Sequence, residues 1–312
     1  MSHWADWLKP QRNRLIVLSI MAVIAMVIPL AANNYVIEVL TNAWFYTILC
    51  LGLNIVVGYA GLLDLGYAAF FAVGAYTTGI LTSKFGFNFW LTIPVAVACS
   101  MLAGIIIGGP TLRLRSDYLA IVTLGFGEIV RIVARNLEIT GGASGLIGID
   151  RPYFFGIELS KGIHFYYVFL LLAIAACYVS YRLQDSRLGR AWQYVREDED
   201  AAEAMGIDRV GVKLYAYVIG AMFGGIAGCF FAAKMTAISP ETFTFSQSVL
   251  ILLGVVLGGM GKIPGVIVGA FALVLFPEVF RGVGSMRMLI FAVVMLVIML
   301  YRPEGIWPRT KS

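Results

Sequence analysis

The sequence predicts an all-α, polytopic transmembrane helical bundle of about eight to ten spans, and three observations predict it. Of its 312 residues 60% are hydrophobic and only 13% charged, whereas soluble domains carry about 25% charge. Mean hydropathy is +0.86. The apolar residues also gather into runs of about 20, the length that crosses a hydrocarbon core. No stretch remains for a separate water-soluble domain, so residues 1–312 read as a single transmembrane domain.

The runs are approximately 15–32, 36–57, 61–82, 89–109, 117–135, 165–181, 214–236, 247–261, 264–280 and 286–301. The first follows Lys9, Arg12 and Arg14, which is also how a signal peptide begins. Because more membrane follows, rather than a secreted domain, it is read as an uncleaved span. The third and eighth runs are rich in glycine, which predicts broken or partly spanning helices and sets the lower count. With residues 1–14 cytoplasmic, alternation places Arg113, Arg115, the segment 182–213 and the C-terminal 302–312, with Arg302, Arg309 and Lys311, inside. The segment 136–164 falls outside. On that arrangement 15 of the 23 Lys and Arg lie inside or at inner boundaries, against 8 outside, as the positive-inside rule requires. This sorting accounts for the net charge of +5. With no basic tract to track phosphates, nucleic-acid binding is set aside.

Several chemistries are excluded on residue types. Cys50, Cys99, Cys177 and Cys229 sit far apart in apolar runs, and His3 and His164 are the only histidines, so neither a disulfide framework nor a metal site is predicted. Gly261-Lys262 lacks the remainder of a phosphate loop, having Val256 at the first glycine position and Ile263 where Ser or Thr belongs; Gly125-Phe-Gly127 lacks the third glycine of a dinucleotide fingerprint. No GxSxG or HExxH set is present. The chain is therefore not read as an enzyme, and neither catalytic residues nor a cofactor of its own are predicted.

The inner segment from Tyr181 reads YRLQDSRLGRAWQYVREDEDAAEAMGIDRVGVK. Within it Arg196 to Met205 predicts a short helix along the membrane surface. Asp198 or Asp200 can cap it, Ala201, Ala202 and Ala204 favour it, and Gly206 can end it in a left-handed conformation. Composition alone fits either a solvated loop helix or a docking helix. Spacing favours docking: Asp200-Ala201-Ala202-x-x-x-Gly206 resembles the EAA---G motif of ABC-importer permeases, with Asp for Glu. In that family the motif lies on a cytoplasmic coupling helix that inserts into a groove of the ATPase subunit.

Three further stretches carry a closer resemblance: GLNIVVGYAGLLDLGYAAFFAVGAYTTG (Gly52 to Gly79), SDYLAIVTLGFGEIVRI with TGGASGL (Ser116 to Leu146), and GRAWQYVREDEDAAEAMGI (Gly189 to Ile207). With the terminal YRPEGIWP, they are similar to the permeases of branched-chain amino-acid ABC importers, of the LivM type, over nearly the whole chain from about residue 40. Urea permeases share much of this pattern. The resemblance implies an inner-membrane subunit that works with a paralogous permease, two ATPases that hold ATP and magnesium, and a periplasmic or lipid-anchored solute-binding protein. It also assigns coupling to Gly189, Arg190, Arg196, Glu197, Asp198, Asp200, Ala201, Ala202 and Gly206.

The membrane residues have their own physical reading. Gly58, Gly61 and Gly66, with Asp64 and Tyr67, mark either close helix packing or a broken helix whose freed backbone faces a polar pathway. Gly58-Tyr-Ala-Gly61 and Gly258-Gly-Met-Gly261 share a spacing, and each precedes a Val-Gly-Ala-aromatic sequence, Val73 to Tyr76 and Val268 to Phe271, so an internal repeat is possible. Glu128 and Arg131, three apart on one helix face, are expected to pair, either as a structural pair or facing the pathway. An ion-coupled secondary transporter fits the hydropathy equally well, with Asp64 and Glu128 as its coupling candidates, but leaves the inner-loop motif unexplained. On the outer side Thr140, Gly141, Gly142, Ser144 and Gly145 read by composition as a donor-rich turn, and the family resemblance implies a role for it in docking or gating. Tyr153-Phe154-Phe155 and Phe165-Tyr166-Tyr167 suggest an interfacial aromatic belt.

Overall fold

The apolar runs become helices, here named in chain order: α1 (Asn34–Leu53), α2 (Ala68–Ser83), α3 (Phe89–Thr111), α4 (Ser116–Asn136), α5 (Gly162–Gln184), α6 (Arg187–Glu197), α7 (Glu199–Ala204), α8 (Arg209–Met235), α9 (Phe245–Gly258), α10 (Ile263–Val279) and α11 (Arg287–Tyr301). The computed structural model describes residues 32–111, 116–154 and 157–301, with Met26, Ile28, Pro29, Gly305 and Ile306. Residues 1–14, nearly all of the predicted first span, Arg113, Arg115, Phe155, Arg302, Arg309 and Lys311 lie outside the described residues.

Among the described residues four helices are long and apolar enough to cross a membrane: α1 with its extension to Tyr59, α3, α5 and α8. By contrast α2, α9 and α10 have 16, 14 and 17 residues, and at about 1.5 Å per residue each is shorter than the ~30 Å hydrocarbon core. The glycine-rich third and eighth runs are short, as expected, but the ninth, expected to span and forming α10, is short as well. Helix α4 is long, but Glu128, Arg131 and Arg135 interrupt its apolar surface. The helical reading departs from observation only in two small antiparallel ladders, Leu146–Ile147 with Ala237–Ile238 and Tyr153–Phe154 with Ile157–Glu158.

Helix α1 does not simply stop. It widens into a π-helical turn over Asn54–Tyr59, and the reason lies at Gly58: a Cβ there would sit 2.0 Å from the Asn54 side-chain oxygen. Glycine leaves room for the Asn54 amide, whose Oδ1 accepts from the Gly261 backbone N–H at 2.8 Å. Gly61, at φ 72°, then turns the chain into the non-helical stretch 60–67. That stretch is buried, so its backbone donors need partners from protein. Side chains supply them: Leu65 N donates to Thr123 Oγ1 at 3.1 Å, Gly66 N to Asp64 Oδ1 at 2.8 Å, and Ala68 N to Ser248 Oγ at 2.9 Å. The break is built rather than frayed.

A second break follows α9, where Gly259 and Gly261 take φ 107° and 86°. Gly305 packs on Gly259, and Ile306 N donates to the Leu257 carbonyl at 2.8 Å. The two GxxG segments that suggested a repeat therefore meet in space through Asn54, Gly58 and Gly261. The glycines downstream of them differ in partner: Gly74 lies against Gly225 of α8, whereas Gly269 lies against Gly254 of its own hairpin.

At the centre, α8 packs on α1, α2 and α3. Its most apolar stretch is 72% buried, against 33% for both α3 and α5. The spacing Gly220-x-x-x-Gly224-x-x-x-Gly228 places three glycines on one face, where Cβ atoms would meet Val56, Phe70 and the Phe71 carbonyl, while Gly225 meets Ser100 of α3. Small residues substitute contact between backbones for the hydrophobic drive that lipid cannot supply. Aromatic rings fill the outer half, with Phe71 edge-on to Phe231 and Phe243 at 5.0 and 4.7 Å. Phe165 and Tyr166 are buried as well, Tyr166 against Ile37 and Trp44 of α1, which corrects their reading as part of an interfacial belt, whereas Tyr167 stays partly exposed.

Gly228→Ala places a Cβ 2.3 Å from the Phe71 carbonyl and should cost about 1–3 kcal/mol of overpacking, lowering the thermal midpoint of the purified protein in detergent. Gly109→Ala, in α3 with open space around it, should leave the midpoint unchanged. Equal behaviour of the two would contradict backbone contact as the packing device.

Candidate functional site

The inner segment folds as two helices, not one. Ser186 caps α6 by accepting from Gly189 N at 3.1 Å. Asp198 is extended, at φ −156° and ψ 112°, and its carboxylate accepts from Asp200 N at 3.0 Å and Ala201 N at 2.9 Å, so it caps α7. The single helix expected over Arg196 to Met205 is therefore corrected: Arg196 and Glu197 close α6, and α7 begins at Glu199 because Asp198 takes the cap. Gly206, at φ 84°, ends the motif in the left-handed conformation that its spacing predicts.

Helix α6 is amphipathic. Gly189, Trp192 and Val195 face inward, and Arg190 and Tyr194 face out. A Cβ on Gly189 would meet the Leu183 and Gln184 carbonyls at 2.2 and 2.3 Å, so only glycine lets α6 fold back on the end of α5. Trp192 is fully buried, donates Nε1–H to the Val212 carbonyl at 2.7 Å and stacks on Tyr59 with 6.4 Å between centroids. Arg190 donates to the Asp185 carbonyl at 2.9 Å.

Helix α7 is clamped to α8 by charge. Lys213, 1% exposed, holds Glu199 at 2.5 Å. Arg209 reaches Glu203 at 3.1 Å and Asp200 at 3.4 Å. Ala202 is buried against this scaffold, whereas Ala201, Glu203 and Met205, the last 83% exposed, project outward. Beside them an open cleft of 560 Å³ is lined by Glu203, Gly206, Ile207, Asp208, Arg209 and Val210. The unit presents small, acidic and apolar groups on a rigid base.

Of the membrane candidates, Gly58, Gly61, Gly66, Asp64 and Tyr67 lie together at the first break. Gly66 packs on the Thr123 carbonyl of α4, and Tyr67, fully buried, donates to the Gly220 carbonyl at 2.9 Å. Asp64 is 1% exposed, with the Thr123 and Tyr217 hydroxyls nearby; its Oδ2 and the Tyr217 hydroxyl reach no hydrogen-bond partner among the described residues. Glu128 and Arg131 are elsewhere, on the half-exposed side of α4. They pair as predicted, Arg131 Nη2 to Glu128 Oε2 at 2.8 Å, and Glu241 joins Arg131 at 3.2 Å.

The outer turn is divided in its exposure. Thr140 donates to the Ala134 carbonyl, closing α4. Gly141 and Gly145 have positive φ and closely approach the Gly145 and Ile238 carbonyls, respectively. Ala143, Ser144, Ile147 and Gly148 are the exposed tip.

Sequence reasoning missed Lys213, Glu199, Trp192, Asn54, Thr123 and Ser248. Their partners are distant in sequence, and no periodicity brings them together. The glycine triplet of α8 did carry a signal, two successive small-x-x-x-small intervals. Among the described residues no group of three His, Cys, Asp or Glu could hold a metal ion.

Residues 35–301 match the family model described as branched-chain amino acid transport system / permease component. The high-affinity branched-chain amino acid transport system permease protein LivM of Salmonella typhimurium is 43% identical over 93% of this chain and 74% of its own. The probable branched-chain amino acid transport permease protein LivM of Methanocaldococcus jannaschii is 28% identical over 85% of this chain and 91% of its own. The permease protein LivH of the high-affinity branched-chain amino acid transport system of Salmonella typhimurium is 21% identical over 73% of this chain and 79% of its own. No solved structure matches the chain.

Lys213→Ala strands Glu199, which is 38% exposed. It should therefore cost about 1–3 kcal/mol, less than breaking a fully enclosed pair, and should speed limited proteolysis within 198–208. Asp200→Ala, whose side chain is 95% exposed, should do neither. Unchanged proteolysis in Lys213→Ala would contradict the clamp.

Proposed function

Because the chain belongs to the branched-chain amino acid transport permease family, we propose that it moves Leu, Ile or Val across the inner membrane by alternating access, driven by ATPase subunits that dock on α6 and α7. The protein is a multi-pass membrane transport subunit. The observation that carries the coupling reading is the inner unit itself: α7 projects Ala201, Glu203 and Met205 while Lys213 and Trp192 fix it to α8. A force applied there moves α8, and α8 contacts α1, α2 and α3 through glycine.

A second permease subunit fits the comparisons. One organism has two permease proteins named for the same transport system, and this chain is 43% identical to one and 21% identical to the other. The chain therefore pairs with a divergent paralogue. Its termini face the cytoplasm, and the exposed tip Ala143–Ser144 with Ile147 receives the solute-binding protein outside. The break at 58–67 serves as a hinge inside the subunit, while Glu128 and Arg131, half-exposed on α4, border the route of the zwitterionic solute.

The test is purification of the tagged chain in mild detergent, followed by uptake in proteoliposomes. An ATPase pair, a second permease and a solute-binding protein should co-purify, and ATP should drive uptake of labelled leucine in competition with isoleucine and valine. Competition by urea instead would move the assignment to a urea or amide permease. Uptake that persists without ATP and collapses with a protonophore would defeat it in favour of an ion-coupled carrier. Ala201→Asp, at an exposed position, should reduce coupled uptake by about tenfold or more with insertion intact. Gly206→Leu should act similarly but adds about 1 kcal/mol of backbone strain.

A further inference from the structure

Arg196 has two chemically distinct halves, and the fold uses both. It lies in the last turn of α6, with its aliphatic stem against the first break: a Cβ on Gly61 would sit 2.7 Å from Arg196 Cγ and 3.3 Å from its Cβ. Its guanidinium donates to the Gly58 carbonyl. A Cβ on Gly261 would lie 3.3 Å from Arg196 Nη1 and 3.1 Å from the Gly58 carbonyl oxygen. One side chain of the inner unit thus touches both helix breaks.

Electrostatics explains why a cation belongs there. The helix formed by α1 and its π-turn ends at Tyr59, and α9 ends at Gly258. Helix C-termini carry unsatisfied carbonyls and partial negative charge. Here two such ends are held together by the Asn54–Gly261 hydrogen bond, and the guanidinium sits at their junction. A guanidinium is a planar fork with several donors, whereas an ammonium is a compact point charge. Only the former can stay on Gly58 while lying along Gly261. Each break is followed by a short helix, α2 or α10, so displacement of this junction is displacement of both.

We propose that Arg196 is the positioning residue that carries motion of α6 and α7 into both broken spans at once, a role that rests on the coupling reading above. Trp192 and Lys213 make the inner unit follow α8, whereas Arg196 reaches across to Gly261 in the break between α9 and α10. Without it the stroke still moves α8 but reaches the second break only indirectly, through α1 and the Asn54–Gly261 hydrogen bond.

The experiment uses the full complex in proteoliposomes with Arg196→Met, which keeps the stem and removes the fork, and Arg196→Lys, which restores charge. Basal ATP hydrolysis, its stimulation by leucine-loaded solute-binding protein, and leucine uptake are read together. Arg196→Met should assemble and keep basal hydrolysis within about twofold, yet lose stimulation and uptake by about tenfold, with partial recovery in Arg196→Lys. Wild-type uptake in Arg196→Met overturns the proposal and leaves the transport assignment intact. Proportionate loss of basal hydrolysis and uptake, with the stimulation ratio kept, overturns it by making Arg196 merely structural. If Arg196→Met does not assemble, hydrogen exchange of assembled Arg196→Lys decides: faster exchange at 58–62 and 259–262 together supports the proposal, and change at one segment or neither overturns it. A wild-type complex that fails to carry leucine under ATP is a separate outcome, and it refutes the transport assignment.

Discussion

Inside a membrane a backbone N–H or C=O cannot turn to water, and the rest of this structure depends on how that constraint is met where α1 and α9 end. The stretch 60–67 abandons helix in a largely buried setting; Asp64 within it and Thr123 of α4 accept from its N–H groups, and Ser248 of α9 accepts from Ala68 at the start of α2. Asn54 does the same for the second break by accepting from Gly261. Thr123, Ser248 and Asn54 lie on α4, on α9 and in the π-turn that ends α1, so satisfying the breaks also fixes the packing of these three helices around them. The short helices α2 and α10 can then exist at lengths that would not span a bilayer by themselves.

The inner unit obeys a related logic with charges in place of amides. Lys213 is buried on α8 and is tolerable there because Glu199 meets it. A buried ion pair of this kind adds little net stability but makes separation of its partners costly. Rigidity is what a force-bearing element requires, and the indole of Trp192 adds a directional hydrogen bond to the same helix. Exposed acids at Asp200 and Glu203 are held by one arginine, Arg209. The exposed face of α7 is therefore held in place by contacts within this chain.

Much of this was legible in the amino-acid order. Hydropathy located the apolar helices from α1 onward, glycine content picked out α2 and α9 as short but not α10, and the spacing from Asp200 to Gly206 marked the inner motif. Local rules also predicted the Glu128–Arg131 pair and the left-handed Gly206. What stayed hidden was relational. The cap at Asp198 divided one expected helix into two, because both Asp198 and Asp200 could cap and only folding chooses between them. Phe165 and Tyr166 resembled interfacial aromatics, yet both are buried by the fold, Tyr166 under α1. Lys213 looked like one more basic loop residue, since Glu199 is neither three nor four positions away. Asn54 and Gly261 are 207 residues apart, a distance no periodicity bridges.

The central claim is that the inner helices move as one body with α8. Spin labels at Met205, 83% exposed on α7, and Tyr215, 57% exposed on α8, test it in the assembled complex by pulsed dipolar spectroscopy. The distance between them should be the same with and without trapped ATP, while that from Met205 to a label at Tyr118 on α4 changes. A Met205–Tyr215 distance that shifts on ATP binding would contradict the account.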